Sequence, residues 1–349
     1  MREPGHLANQ LLLLDFSPDD HGHRGQYNAM IAALFNTRRI RFGWESLCAR
    51  APVLVPGIEA APVRYALLCL IRAVLGRRTA AFLLRPLPVV QAGSLRLRSK
   101  GLVLKVLKRL PGNTILTIVP FAIEPGLAHF ANDWIYDLQN WDRQLRAAQV
   151  LPTGGAPTAR LDLQIAAVAA GRMVCCAVGR QDDSKGFRQF AQLYCRDAAL
   201  RNRVLFAYGG SVSPPLKSSA IQFASAGGFG CDRFISDEEL IELYRAADLI
   251  WCVYAPDYDQ ASGILGRAMQ LGLPVIARRG SVIERICQLE KHPYLSFDPA
   301  TEQVDHSQFP PRLDAHEADV RAARHAQHSL AKLSHILGLK PLLGSNAAA

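Results

Sequence analysis

The chain has 349 residues, 49% of them hydrophobic, and a formal net charge of +10. This length exceeds what one hydrophobic core usually serves, so we expect two domains, and the apolar content excludes an intrinsically disordered chain. No apolar run reaches the roughly 18 residues that a membrane-spanning helix needs. The eight cysteines form no C-x-x-C pair and several lie in apolar runs, so we expect buried free thiols rather than disulfides or metal ligands.

The first half alternates short apolar runs with helix-like segments. Strands are predicted at 11–16, 51–57, 79–84, 114–120 and 133–138, and helices at 25–36 and 62–76. Strands that alternate with helices are typical of a parallel sheet wound by crossovers. A segment rich in Gly, Pro and Thr at 151–160 is the expected linker.

The second half repeats this alternation. Strands are predicted at 172–179, 203–210, 248–254 and 274–279, and helices at 186–199, 236–247, 262–271, 281–290 and 315–337. Ser236 and Glu239 have the spacing of a capping box.

From the alternation of strands and helices in both halves, we predict an α/β protein of two Rossmann-like domains. The first domain spans 1–160 and the second 161–315, followed by a C-terminal helix and frayed tail at 316–349.

Much of the positive charge lies in the first half, where basic and aliphatic residues alternate in segment 100–110. As a helix, this segment would be basic on one side and apolar on the other, which suits a membrane interface. An ordinary packed helix with a solvated basic face explains the pattern equally well. The net charge also suits nucleic acid or a phosphorylated substrate.

The segment VCCAVGRQDDSKGF places cations directly after a buried strand. The strand ends at Gly179, and Arg180 and Lys185 follow in a polar turn closed by Gly186. Ligands of open α/β sheets bind beyond the carboxyl ends of the strands. Arg can bind phosphate oxygens bidentately and Lys acts as a point charge, so the turn suits a diphosphate. The alternative is a solvated turn with two ordinary cations.

The segment YDQASGILGRAMQLGLPVIA combines a small-residue loop, a helix and a strand. Ser262 and Gly263 begin the helix, whose free N–H groups and dipole favour an anion. Gly263 has no Cβ and so lets a ligand approach the backbone closely. A simple N-cap by Ser262 is the alternative, and both roles are compatible.

Three segments taken together resemble a known family. AVGRQDDSKGF, FISDEELIELYRAADLIW and YDQASGILGRAMQLGLPVIA are similar, in order and spacing, to the donor-binding domain of GT-B glycosyltransferases, particularly the sugar-nucleotide enzymes of the family numbered four. The likeness covers about 172–297, and the first half agrees in general outline. It implies the GT-B fold, with two Rossmann-like domains that face each other across a cleft, and no cofactor and no metal.

The resemblance implies roles for the matching positions. Arg180 and Lys185, with Gly179 and Gly186 beside them, would neutralise the donor diphosphate. The backbone around Ile235 would receive the nucleotide base. Ser262 and Gly263 would offer backbone N–H groups to the distal phosphate.

One departure from the family pattern concerns two glutamates that are eight residues apart in most members. Asp259 and Arg267 occupy these places here. Asp259 can still bind a sugar hydroxyl, whereas Arg267 has no acceptor for a ribose hydroxyl and would hold phosphate or face solvent. The nucleotide and the choice between inversion and retention are therefore open.

In GT-B enzymes the loop after the first strand faces the cleft between the domains. Here that loop contains Asp20 and His21, the candidates for accepting the proton of the acceptor hydroxyl. His23, Arg24 and Gly25 follow as cleft contacts. The alternative is a loop that is polar because it is exposed. Two histidines without a third ligand in a recognisable spacing do not predict a metal site.

The expected activity is that of a metal-independent hexosyltransferase. The likeness favours GDP-mannose as donor and the mannosyltransferases of xanthan-type exopolysaccharide assembly as the nearest group. The acceptor would be a lipid-diphosphate-linked oligosaccharide of bacterial exopolysaccharide or lipopolysaccharide synthesis. The expected partner is an anionic membrane surface, at the cytoplasmic face of the inner membrane, and not nucleic acid. A sugar-nucleotide epimerase of the same fold and a basic nucleic-acid-binding protein are the alternatives.

Overall fold

The computed structural model describes residues 10–16, 23–91, 93–142 and 160–342, without the side chains of residues 23, 24 and 26. The chain divides into two compact units. Unit 1 comprises residues 1–141 and 322–349, and unit 2 comprises residues 142–321. The division after Trp141 lies earlier in the chain than the predicted one at 160. The C-terminal residues from 322 belong to unit 1 instead of forming a separate segment.

Unit 1 is built on a six-stranded parallel sheet in the order β2-β1-β3-β4-β5-β6. Its strands are β1 (Leu11–Leu14), β2 (Thr37–Ile40), β3 (Val53–Val55), β4 (Thr79–Leu83), β5 (Asn113–Thr117) and β6 (Asp133–Trp134). Strands β1, β3 and β4 are fully buried, as the apolar runs indicate. The sequence pattern missed β2, because its two central residues are exposed arginines at the sheet edge.

The helices of unit 1 are α1 (His23–Leu34), α2 (Trp44–Cys48), α3 (Pro62–Val74), α4 (Leu87–Gln91) and α5 (Leu95–Leu107). Apolar side chains from the two faces of the sheet form two cores. One core includes Leu333, Leu337 and Leu339 from the C-terminal end of the chain. This packing explains why the last residues belong to unit 1.

Unit 2 is built on a seven-stranded sheet in the order β13-β12-β11-β10-β7-β8-β9. Its strands are β7 (Met173–Val178), β8 (Val204–Gly209), β9 (Phe229–Cys231), β10 (Leu249–Cys252), β11 (Val275–Arg278), β12 (Tyr294–Asp298) and β13 (Gln303–Val304). All neighbours are parallel except β12 and β13. The chain winds outward from β7 in one direction and from β10 in the other, so the strand order reverses between them.

The helices of unit 2 are α6 (Leu161–Ala169), α7 (Phe187–Arg196), α8 (Ala198–Arg203), α9 (Lys217–Ser225), α10 (Asp237–Ala246), α11 (Gly263–Gln270) and α12 (Val282–Leu289). The last helix, α13 (Ala315–Leu337), begins in unit 2 and ends in unit 1. The predicted capping box is confirmed, because Glu239 N donates to Ser236 Oγ and Ser236 N donates to the Glu239 carboxylate.

The composition predicts buried free thiols and no apolar run long enough to span a membrane. In the described part of the chain, no helix combines the length and apolarity required to cross a bilayer. All eight cysteines are unpaired, and five of them are buried. Burial raises the pKa of the Cys176 thiol beyond its ordinary range, so this cysteine is protonated at neutral pH.

Candidate functional site

The reversal of strand order places a crevice at the carboxyl ends of β7 and β10 in unit 2. In doubly wound sheets this is the position at which ligands bind. The turn at 179–186 follows β7, and the segment at 253–263 follows β10. Both sequence motifs singled out for anion binding therefore emerge at the same edge, beside neighbouring strands.

The turn after β7 depends on glycine at both ends. Gly179 and Gly186 have φ of 81° and 71°, in the left-handed region that side chains disfavour. A Cβ at Gly186 would lie 1.9 Å from the carbonyl oxygen of Val253, so any larger residue would collide with backbone. Asp182 closes the turn by accepting from Lys185 N at 3.1 Å. The two glycines thus bring the turn against the segment that follows β10.

Lys185 lies at the centre of this turn and is half-buried. Its Nζ lies 3.3 Å from the position that a Cβ at Gly179 would take. Burial lowers the pKa of Lys185, and the charge of Asp182 opposes part of that effect. No side chain or carbonyl in the described part of the chain makes a hydrogen bond or ion pair with this ammonium group. A partly desolvated cation without such a partner is suited to an anionic ligand.

Arg180 is the second cation of the turn and is mostly exposed, at 72% of its side chain. Its Nε lies 3.4 Å from Asp182 Oδ2, a weak surface ion pair. The guanidinium is therefore free to reorient toward a ligand at small cost. The structure brings Arg180 and Lys185 together at the end of β7.

The N-terminus of α11 is the second part of the site. Ser262 is its N-cap, since Ser262 Oγ accepts from Ile264 N at 3.1 Å, and Gly263 is its first residue. The Tyr254 hydroxyl lies 2.6 Å from the same oxygen. Burial raises the pKa of Tyr254 well above its ordinary value, so the phenol keeps its proton at neutral pH.

The segment after β10 connects the two parts of the site. Ala255 N donates to the carbonyl oxygen of Ser184 at 3.0 Å, and Val253 contacts Gly186. Tyr254, between them, reaches Ser262. The turn that carries Lys185 and the helix that begins at Gly263 thus border one short segment.

Asp259 lies in the loop before α11, with both carboxylate oxygens engaged. Its Oδ1 accepts from Val282 N at 2.9 Å, and its Oδ2 lies 3.1 Å from Arg278 Nη2. Burial raises the pKa of Asp259, while Val282 and Arg278 oppose that effect. Asp259 therefore ties its loop to the start of α12, and a role toward a sugar stays a prediction.

Arg267 does not face solvent, which corrects that part of the expectation. Its guanidinium is buried and forms an ion pair with Asp142, with Nη2 2.9 Å from Oδ2. Nη1 donates to Gln270 Oε1 at 2.6 Å, and Gln270 Nε2 donates to the carbonyl oxygen of Asp142 at 3.1 Å. Arg267 therefore fixes the position of Asp142 through this ion pair. A phosphate contact would require this guanidinium to leave or share its partners.

Ile235 lies between β9 and α10, directly before the N-cap Ser236, and is buried. Arg233 Nη1 donates to Glu239 Oε2 at 2.8 Å and so fixes the segment around it. Phe234 is 84% exposed. β9 is the edge strand next to β8, and no hydrogen bond in the described chain joins Ile235 to the turn at 179–186. Its role as a base contact stays a prediction.

The candidates of the first loop are only in part described. Asp20 and His21 lie outside the described residues. His23 and Arg24 begin α1 without described side chains, and Gly25 is a partly exposed residue of that helix. Nearby, Asn28 Nδ2 donates to Asp15 Oδ2 at 2.9 Å, at the end of β1. The proposed catalytic roles stay predictions.

Four residues of this region were not found from the sequence: Asp142, Asp182, Tyr254 and Arg278. Asp182 had a local signal, an N-cap three positions before Lys185. Tyr254 and Arg278 lie at the ends of predicted strands, where the sequence gives no signal beyond the strand itself. Asp142 had no local signal. The described residues contain no group of three His, Cys, Asp or Glu side chains that could hold a metal ion.

No protein-family profile matches the chain, and no curated protein is significantly similar to it in sequence. Solved structures are similar in fold. A trehalose-6-phosphate structure from E. coli, bound with UDP-2-fluoro glucose, has a TM-score of 0.58 at 9% identity, with 95% of this chain and 100% of that chain covered. Anabaena HepE in complex with UDP and glucose has a TM-score of 0.56 at 14% identity, with 94% and 95% covered.

A UDP-forming trehalose-phosphate synthase from Burkholderia vietnamiensis has a TM-score of 0.56 at 12% identity, with 95% of this chain and 94% of that chain covered. These likenesses extend over nearly the whole length of each chain. The fold is GT-B. The predicted fold class, two Rossmann-like α/β domains, is confirmed.

Proposed function

We propose that the protein is a glycosyltransferase that takes a sugar from a nucleotide-sugar donor. Unit 2 binds the donor diphosphate between the turn at 179–186 and the first turn of α11. The observation that carries this proposal is Lys185, a half-buried ammonium group with no hydrogen-bond acceptor among the residues that the structure describes, at the strand-order reversal of the unit 2 sheet. Such a group gains most when an anion arrives, because it has lost water without gaining a partner.

In this proposal the chemistry is charge neutralisation of the leaving nucleotide. Lys185 and Arg180 stabilise the negative charge that develops on the diphosphate as the glycosidic bond breaks. The backbone N–H of Gly263 and the positive end of α11 add to this effect. Together they do what a divalent cation does in other transferases, so we propose a metal-independent reaction that needs no cofactor.

The donor is a pyrimidine or purine nucleoside diphosphate sugar. Two of the structural neighbours are described with UDP or a UDP-sugar bound, which supports UDP-glucose as a donor to test first. The sequence likeness supports GDP-mannose. The same likeness supports a lipid-diphosphate-linked oligosaccharide as acceptor, in bacterial exopolysaccharide or lipopolysaccharide synthesis at the cytoplasmic face of the inner membrane.

A thermal-shift panel of UDP-, GDP-, ADP- and CMP-sugars tests the donor class. A ligand that binds only the folded protein raises its melting temperature. We expect one nucleotide to raise it, and Lys185→Met to abolish that response while leaving the melting temperature of the unliganded protein unchanged or higher. Lys217→Met, on an exposed cation of α9 that pairs with Asp232, is the matched control and should keep the response.

A normal nucleotide response in Lys185→Met would contradict the diphosphate contact.

Turnover separates a transferase from an epimerase of the same fold. We expect release of nucleoside diphosphate to depend on an added lipid-linked acceptor fraction. Conversion of the donor to another sugar nucleotide without any acceptor would contradict transfer and favour the epimerase.

A further inference from the structure

The helix α3 of unit 1 exposes a row of aliphatic side chains. Val63, Leu67, Leu70 and Val74 follow one another at i, i+4, i+7 and i+11, and all are exposed, Val74 at 88%. This spacing places them on one face of the helix. The opposite face is buried through Tyr65, Leu68, Cys69 and Arg72. The helix is therefore apolar on both sides, and only one side packs in the core.

The helix α5 repeats this arrangement and packs beside α3. Its buried face consists of Gly101, Leu104 and Leu107. Leu95, Leu102 and Val106, at i, i+7 and i+11, are exposed on the other side, with Val103 next to them. The alternative of an ordinary packed helix with a solvated Lys/Arg face describes α5 only in part, since aliphatic residues occupy the centre of its outer face.

The charge around these rows has one sign. Residues 60–123 contain eleven Lys and Arg and no Asp or Glu. The exposed cations Arg96, Arg98 and Lys105 of α5, and Arg109 just after its end, flank the aliphatic row. Trp44, on the helix α2 that packs against α3, is also exposed. Isolated exposed aliphatic residues are common on soluble proteins, but two adjacent rows within a purely cationic segment are not.

We propose that the outer face of α3 and α5 is a docking surface for an anionic lipid bilayer. Aliphatic side chains enter the boundary between headgroups and acyl chains, and the flanking Arg and Lys bind lipid phosphates. Charge complementarity selects this occupant, because α3 and α5 carry cations and no carboxylate, so their outer face repels a second copy of itself and matches anionic lipid. The inference deepens the proposed function, since it places unit 1 at the membrane that carries a lipid-linked acceptor.

Vesicle flotation tests the surface directly. The full chain is mixed with vesicles of phosphatidylcholine alone or with added phosphatidylglycerol, at low and high salt. We expect binding to the phosphatidylglycerol vesicles, reduced by high salt, and little binding to phosphatidylcholine alone. Absence of binding to the anionic vesicles would overturn the proposal.

Paired variants separate the contribution of each residue class. The charge variant Arg96→Glu with Arg109→Glu should weaken vesicle binding by about thirtyfold. Its control, Lys291→Glu with Lys340→Glu, makes the same charge change at other exposed cations and should weaken binding much less.

The apolar variant Val74→Ser with Leu102→Ser should also weaken vesicle binding by about thirtyfold. Its control is Ile221→Ser with Val320→Ser, two exposed aliphatic residues of unit 2, which should bind as the wild type does.

Equal losses in a variant and its control would overturn the proposal, because binding would then follow net charge or hydrophobicity alone. A wild type that dimerises without vesicles, and an apolar variant that is monomeric, would also overturn it in favour of a protein interface. The nucleotide response, measured without vesicles, should be unchanged in all four variants. If the chain responds to a nucleotide sugar but ignores anionic vesicles, this inference fails and the proposed function stands.

Discussion

Arg72 in unit 1 and Arg267 in unit 2 are both buried, and their charges are stabilised in different ways. In unit 1, Arg72 is inaccessible, and its five N–H groups donate to Thr79 Oγ1 and to four backbone carbonyl oxygens at 2.8–3.1 Å. Burial, and the charge of Arg77, lower the pKa of Arg72 to about 10. In unit 2, Arg267 is balanced by the carboxylate of Asp142.

The difference follows from the composition around each arginine. The segment that contains Arg72 has no carboxylate, so carbonyl dipoles have to solvate the charge there. In both cases the guanidinium is satisfied within the fold, which indicates a structural role. Lys185, by contrast, is half-buried, and no side chain or carbonyl in the described ranges accepts a hydrogen bond from its ammonium group. Lys185, unlike the two buried arginines, therefore keeps its charge available for a ligand.

The largest effect is expected at Arg72. Replacement by leucine removes the arginine's donors from four carbonyl oxygens and a buried hydroxyl, so we expect Arg72→Leu to lower the free energy of unfolding by about 4 kcal/mol. Urea denaturation measures this loss. Arg64→Leu, at an exposed position of the same helix, is the control and should change stability little. Equal stabilities of the two variants would show that the hydrogen bonds from Arg72 to the carbonyl oxygens do not stabilise the fold.

The next effect is expected at the partner of Arg267. Asp142→Asn leaves a buried positive charge without its counter-ion and should cost about 3 kcal/mol. Adding Arg267→Met removes the stranded charge, so the double variant should recover much of this loss in a double-mutant cycle. If the losses in free energy of unfolding from the two substitutions simply add in urea denaturation, the ion pair between Asp142 and Arg267 does not stabilise the fold.

A smaller, pH-dependent effect is expected at His292. Its Nε2 lies 2.9 Å from the carbonyl oxygen of Leu273, and its Nδ1 lies 3.1 Å from Arg321 Nη1, so the neutral ring donates at one side and accepts at the other. Burial, and the charge of Arg321, lower the pKa of His292 from 6.5 to about 4.

Because the unfolded chain binds this proton more tightly than the folded one, stability falls as the pH drops from 6.5 toward 4. By about pH 5 the loss should reach about 2 kcal/mol. His292→Gln keeps a donor and an acceptor but cannot titrate, so its stability should fall less over the same range. A parallel pH dependence of the variant in denaturation experiments would assign the titration to another group.

The smallest effect is expected at Tyr254. Tyr254→Phe removes the hydroxyl that contacts Ser262 and should cost about 1 kcal/mol of stability. Because Ser262 caps the helix that begins at Gly263, we also expect a severalfold weaker nucleotide response in titrations. An unchanged response would show that the N-terminus of α11 keeps its geometry without this contact. Ser262→Ala, which removes the cap itself, is the comparison variant.

Much of the fold and part of the site were predictable from the sequence. Apolar runs of strand length alternate with helical segments, which predicts two parallel sheets, and nearly all central strands lie where those runs are. The polar turn bracketed by Gly179 and Gly186 follows a buried strand, as predicted. These features are local, because strand length, helical period and turn chemistry act over fewer than about twenty residues.

The tertiary structure decided which distant groups meet. Asp142 lies 125 positions before Arg267, and only the fold pairs them. The carbonyl groups around Arg72 come from separate loops that the sheet brings together. Which side of α3 and α5 is buried also depends on the fold, because both sides are apolar and helical periodicity alone cannot select one. Local patterns specify elements, whereas the partner of each buried charge depends on long-range packing.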